Sequence, residues 1–277
     1  MENVQYNPAD VVRISEVGPR DGLQSVAATM PTEHKLRWID ALYAAGLREI
    51  EVCSFVPARL LPQMADAREV VRHALTLPGL TVVALVPNLR GAQAALEAGA
   101  HKLAVPVSAS TARSLANVSR TPEEMVRELR AMSRLRDDTA AGVRLEAGIS
   151  TAFGCTLQGA VAEDDVIRLA AQCMQAGADE AGLSDTVGYA DPARVRRLFR
   201  RLRAEIGDKA GAAHMHNTSG LGLASCLAAY DEGVRSFDSS LGEPGRLSLC
   251  PRRIRQRGDR RPGLHVRGHG CWHRRRS

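Results

Sequence analysis

Thr121-Pro-Glu-Glu-Met-Val-Arg-Glu-Leu-Arg-Ala-Met-Ser-Arg-Leu-Arg-Asp-Asp138, followed closely by Val143-Arg-Leu-Glu-Ala-Gly-Ile-Ser150, reads as a helix handing over to a strand. Val126, Leu129, Met132 and Leu135 recur at helical spacing and would form one apolar stripe. Thr121 is a capping residue, with Pro122 at the first helical position. The same handover recurs on either side. Strands are expected over Val11–Val17, Glu49–Phe55, Thr81–Val86, Lys102–Val107, Val143–Ser150, Glu180–Ser184, Ala212–His216 and Arg235–Ser239. Helices are expected over Thr32–Ala45, Met64–Ala74, Gly91–Ala98, Pro122–Asp138, Glu163–Ala176, Pro192–Ile206 and Ser219–Glu232. Thr32 and Asp191 read as further caps, and Ala45-Gly46, Ala98-Gly99 and Ala176-Gly177 as helix stops. Strict alternation argues a parallel sheet with right-handed crossovers, and eight strands favour closure into a (β/α)8 TIM barrel.

Residues 1–242 would form that single domain. An eighth helix should follow the last strand. Instead the sequence turns abruptly, near Glu243, into an Arg-rich stretch broken by Pro244, Gly245, Pro251 and Gly258. Residues 243–277 are therefore expected to be an irregular, disordered tail in place of that helix.

The tail also explains the charge. The formal net charge is +6, but eleven arginines and Asp259 lie from Arg246 onward. Removing them from the totals of 37 basic and 31 acidic residues leaves 26 against 30, a body of net −4. The body gives no hint of a nucleic-acid partner. No apolar run approaches the ~20 residues of a membrane span. Six cysteines without framework spacing read as reduced thiols of a cytosolic protein.

Polar residues gather where a barrel keeps its active site, at the carboxyl ends of strands. These are Arg20, Asp21 and Gln24 after the first strand, Glu51 on the second, Asp185 after the sixth, and His214 and His216 on the seventh. Positions i and i+2 of a strand share a face, so both imidazoles should point into the mouth beside Asp21. Two imidazoles and a carboxylate make a divalent-metal site of the mixed kind that suits Mg²⁺, Mn²⁺ or Zn²⁺. Taken singly, each has a plainer reading. The His pair could be core or surface, Arg20-Asp21 a strand-end salt bridge, and Asp185 a helix cap. Joint placement at one end of the barrel favours the site.

The segment Glu16-Val-Gly-Pro-Arg-Asp-Gly-Leu-Gln24 resembles the first-strand signature of the 3-hydroxy-3-methylglutaryl-CoA lyase family of metal-dependent acyl-CoA lyases. The likeness continues through Ile50-Glu51-Val-Cys-Ser54-Phe55-Val56, Pro62-Gln63-Met64, Val86-Pro87-Asn88-Leu89, Ser184-Asp185-Thr186-Val-Gly188 and Phe237-Asp238-Ser239-Ser240-Leu241-Gly242. It implies Asp21, His214 and His216 as ligands of Mg²⁺ or Mn²⁺, and Arg20, Asp21, Glu51, Asp185 and His214 as catalytic. Arg20 and Gln24 would contact an acyl-CoA thioester, cleaved to acetyl-CoA and acetoacetate. The resemblance also implies a place in leucine degradation, a cytoplasmic location and compatibility with a homo-oligomer. Citramalyl-CoA or a larger 3-hydroxyacyl-CoA is the alternative substrate.

Two departures stand out. Asn217 follows the second histidine where the family usually has Asp. The family's glycine-rich segment, with its cysteine and its metal-binding asparagine, is absent as such. Reading that segment's codons one base early reproduces Pro244 through Arg257 in order, so the tail is expected to be frame-shifted. A chain lacking that segment could be a catalytically dead barrel with an exposed apolar stripe.

Overall fold

The computed structural model describes residues 11–241 and two short backbone segments of the tail. Eight parallel strands close into a barrel in chain order: β1 (Arg13–Glu16), β2 (Glu49–Ser54), β3 (Thr81–Leu85), β4 (Lys102–Ser108), β5 (Arg144–Ser150), β6 (Glu180–Ser184), β7 (Ala210–His214) and β8 (Ser236–Ser239). Closure runs through β8 and β1, with Glu16 opposite Ser239. The helices are α1 (Thr32–Ala44), α2 (Ala67–Ala74), α3 (Leu89–Ala98), α4 (Thr111–Val118), α5 (Pro122–Thr139), α6 (Glu163–Gln175), α7 (Pro192–Ile206) and α8 (Gly222–Asp231).

Local chemistry accounts for most boundaries. Thr121 and Glu124 form a reciprocal capping box at the start of α5, and the Asp191 side chain accepts from Arg194 N–H to cap α7. Gly99 ends α3 at φ 94°, a left-handed conformation that glycine adopts without strain. Thr32 is not a cap: Pro31 occupies that position, and the Thr32 hydroxyl instead reaches Asp66 Oδ2 at 2.8 Å. Met64 belongs to a separate 3₁₀ turn, Pro62–Met64, ahead of α2. Helix α4 was not anticipated. Its length is only two turns, and Ser110 caps it by accepting from Arg113 N–H at 3.2 Å.

Strand alternation separates two environments. Outward-facing Ile50, Leu103, Leu145, Ile149 and Leu183 are fully buried against Met125, Leu129, Met132, Leu198 and Phe199 of the helical layer. Each such side chain contributes about 1.5–3 kcal/mol. The alternate, inward positions mix charged and polar groups at the two ends with small or apolar residues between them. At the amino end of the barrel, Lys102 Nζ meets Glu146 at 2.7 Å, Glu180 at 2.8 Å and Glu49 at 3.3 Å, while Arg144 holds Glu180 at 2.7 Å. Burial alone would lower the Lys102 pKa, but the three carboxylates outweigh it and raise it. The floor is an ion cage.

Among the described residues no helix follows β8. Residues 242–263 lie outside them, and with them the expected frame-shifted segment. Leu264–Arg267 (β9) and Cys271–Arg274 (β10) pair antiparallel, so the expected irregularity of the tail does not extend to these two strands.

Candidate active site

The chain leaves β1 through a single π-helical turn, Gly18–Gly22, a form that often marks functional positions. This turn aims Arg20 and Asp21 across the mouth. Arg20 Nε donates to Glu51 Oε2 at 2.7 Å, and its Nη1 donates to Asp21 Oδ1 at 2.7 Å. Gln24 Nε2 reaches the same Asp21 oxygen at 3.2 Å. Glu51 thus orients the guanidinium from below, while Asp21 is held from two sides.

Two strands from β1, on the far side of β8, His214 closes β7. Strand β7 stops there, two residues earlier than expected, so strand parity does not place His216. A hydrogen bond does: His216 Nδ1 donates to the backbone carbonyl of Asp185 at 2.6 Å. The Nδ1 of His214 pairs with Asp238 Oδ2 on β8 at 2.8 Å. The two rings stand 5.0 Å apart, centroid to centroid, and are steeply inclined at 69°. Ligand atoms of Asp21, His214 and His216 all lie within 4.8 Å of one another.

The electrostatics follow from these contacts. Burial would raise the Asp21 pKa, but Arg20, His214 and His216 outweigh it and hold the carboxyl below its usual range. Burial likewise disfavours charge on Arg20, yet Glu51 and Asp21 raise its pKa further, so it stays cationic. Burial dominates at Glu51, whose carboxyl is pushed up to about 7 despite Arg20. Burial would lower the His214 pKa, but its bond to Asp238 raises it.

Asp185 sits differently from the expectation. Its carboxylate turns into the loop after β6, accepting from the N–H groups of Tyr189 (2.8 Å) and Ala190 (3.2 Å), and burial raises its pKa. Its link to the site is the carbonyl that anchors His216. Asp238 was missed, although it stands inside a quoted motif. Its signal was the same parity that selected Glu51: an acid on the inward face of a strand, flanked by outward Phe237.

A cavity of about 550 Å³ runs from the mouth into the barrel. Arg20, Asp21, Gln24, Glu51, His214 and His216 line it, and Asn117 and Arg120 from the end of α4 flank its entrance. Small inward residues, Ala104, Gly182 and Ala212, leave that depth where barrels usually pack bulky aliphatics.

An acidic oxygen and two imidazoles, each with Nδ1 anchored by an acceptor, fit a divalent cation of the oxygen- and nitrogen-binding kind. Fold and site together define a TIM-barrel enzyme of the metal-assisted type. The family model HMGL-like matches residues 11–245, and the chain belongs to that family of carbon–carbon lyases. It is 37% identical over 240 residues to hydroxymethylglutaryl-CoA lyase YngG of Bacillus subtilis, covering 87% of this chain and 80% of the relative. It is 38% identical over 240 residues to the 3-hydroxy-3-isohexenylglutaryl-CoA/hydroxymethylglutaryl-CoA lyase of Pseudomonas aeruginosa, covering 87% and 78%. Among solved structures, an HMG-CoA lyase from Acinetobacter baumannii in complex with coenzyme A and 3-methylmalate superposes with a TM-score of 0.83 at 33% identity, covering 89% of this chain and 80% of that one.

Proposed function

We propose that this barrel cleaves 3-hydroxy-3-methylglutaryl-CoA to acetyl-CoA and acetoacetate, with Mg²⁺ or Mn²⁺ held by Asp21, His214 and His216. The observation that carries the reading is the convergence of those three ligand groups beside the buried Arg20 guanidinium. When bound, the cation would hold the substrate's hydroxyl and carboxylate oxygens and lower the hydroxyl pKa.

The residues divide the rest of the work. The hydroxyl proton leaves to a base at the mouth; with Nδ1 engaged by Asp238 and its other nitrogen given to the cation, His214 serves as a ligand and not as that base. The C–C bond then breaks, and its electron pair passes into the thioester enolate. Arg20, fixed by Glu51 and Asp21, presents a permanent positive charge to the enolate oxygen. A proton returned to the enolate carbon completes acetyl-CoA. Gln24 contacts the substrate beside Asp21. Asp238 and the Asp185 carbonyl hold the two imidazoles in orientation. The reaction fits a cytoplasmic enzyme of leucine breakdown; among the described residues no helix is long and apolar enough to cross a membrane.

The test is turnover of the thioester by the chain with its reading frame restored near Glu243, assayed with Mn²⁺ and with chelator. Metal-dependent release of acetyl-CoA is expected. No turnover with either Mg²⁺ or Mn²⁺ contradicts the reading.

A further inference from the structure

Glu16 opens the signature that carries Arg20 and Asp21, yet it takes no part in the site just described. Its side chain points away from the cavity and is fully buried. Among the described residues no cation pairs with it. A buried carboxyl without a counter-ion is costly unless its oxygens are otherwise engaged. Here they are. Oε1 accepts from Gly18 N–H at 2.9 Å and from Leu241 N–H at 2.9 Å, and Oε2 lies 3.1 Å from the same Leu241 nitrogen.

Those donors belong to two different parts of the site. Gly18 is the first residue of the π-helical turn that displays Arg20 and Asp21. Leu241 lies just past β8, the strand whose Asp238 holds His214. The two strands meet at the barrel seam, where Val17 N–H also donates to the Ser239 carbonyl at 2.7 Å. The contact is tight as well. A Cβ on Gly18 would lie 2.5 Å from Glu16 Oε1 and 3.2 Å from Trp38. Glycine at 18 is thus required by the glutamate two residues earlier, not by backbone strain.

We propose that Glu16 is a positioning residue for the metal site, clasping the Arg20–Asp21 turn to the exit of β8 so that Asp21 and His214 keep their mutual distance. The proposal rests on the metal reading above and concerns only how the chain's own residues are held. Oε1 is the shared acceptor for the two N–H groups, with the Ser239 side chain also on the carboxyl, so an amide oxygen at that point can replace it while a methyl cannot.

The experiment is calorimetric titration of the full chain and its variants with Mn²⁺ at one pH, with circular dichroism melts run alongside. Glu16→Ala is expected to weaken Mn²⁺ binding on the order of 10-fold or more, within the scale for losing a supporting partner of a metal ligand. Glu16→Gln should bind within about 3-fold of the parent, a rescue that loss of packing alone would not give. Gly18→Ala pushes on the same carboxylate from the other side and should weaken binding as Glu16→Ala does, which keeps the test open should Glu16→Ala fail to fold. Parent-like Mn²⁺ affinity in a folded Glu16→Ala or Gly18→Ala protein overturns the clasp. Equal losses in Glu16→Gln and Glu16→Ala overturn it too. Absence of Mn²⁺ binding by the parent itself contradicts the metal reading instead.

Discussion

Two clusters of buried charge sit at opposite ends of this barrel, and each is built around one buried cation held by carboxylates. At the floor, Lys102 is closed in by Glu49, Glu146 and Glu180, so that side chain satisfies side chain. At the mouth, Arg20 also meets two carboxylates, but the groups around it are held from behind. Asp185 supplies a backbone carbonyl to His216, Asp238 a carboxylate to His214, and Gln24 an amide to Asp21. The floor spends its charges on one another. The mouth keeps its ligand atoms converging on a shared point, because other groups fix their orientation. What separates a structural ion cluster from a reactive one here is where each group's second contact goes.

The largest effect that could break this contrast is at the floor. Lys102→Met leaves Glu49 and Glu146 in the barrel interior without their cation, while Glu180 keeps Arg144. Removing one partner of a buried ion cluster costs about 3–5 kcal/mol. Urea unfolding should show that loss, while Mn²⁺ affinity of the folded fraction stays close to the parent's. A variant as stable as the parent would show that the floor carries no more weight than a surface ion network.

Next in size is a pH effect at the seam. Burial pushes the Glu16 carboxyl up to about 7 from an ordinary 4.5. The folded chain therefore binds this proton more tightly than the unfolded chain. The resulting stability is full below about pH 4.5 and is lost as pH rises through 7. Across that window it amounts to ~3 kcal/mol. Glu16→Gln should flatten the dependence of unfolding free energy on pH between 4.5 and 7. An unchanged slope would assign the dependence to other buried acids, of which Glu51 is the first candidate.

The barrel was legible because its signals are redundant. Eight apolar runs, Ala-Gly stops and proline-started helices all point to one architecture, and an error of a residue or two at each end does not alter it. Helix α4 was illegible because Thr111–Val118 is only two turns long and adds a second helix between β4 and β5, outside the one-helix-per-strand alternation. The site was half legible. Arg20, Asp21, Glu51 and His214 follow from strand ends and parity. His216 was named for the wrong reason, since its placement depends on a carbonyl that only the folded loop after β6 brings within reach. Asp238 carried the parity of an inward acid, but its partner His214 lies on another strand, and Glu16 acts through contacts between β1 and β8, far apart in sequence, that no local pattern records.

Smaller again is the expected effect of Asp238→Asn. The amide oxygen can still accept from His214 Nδ1, but the charge that strengthens the imidazole as a ligand is gone. Mn²⁺ affinity should fall by roughly 10-fold, at the low end of the range for supporting partners. Asp185→Asn keeps the carbonyl that holds His216 and should change the affinity less. The reverse order would show that the loop after β6, not the Asp238 carboxylate, governs the geometry of the site.

The central claim is that Asp21, His214 and His216 together bind one divalent cation. Calorimetric titration of Mn²⁺ into the parent chain and into Asp21→Ala, His214→Ala and His216→Ala, all at one pH, tests it most directly. The account predicts a single site per parent chain and binding lost or severely weakened in each variant, with melts showing the barrel still folded. Parent-like affinity and stoichiometry in any one of the three would contradict it.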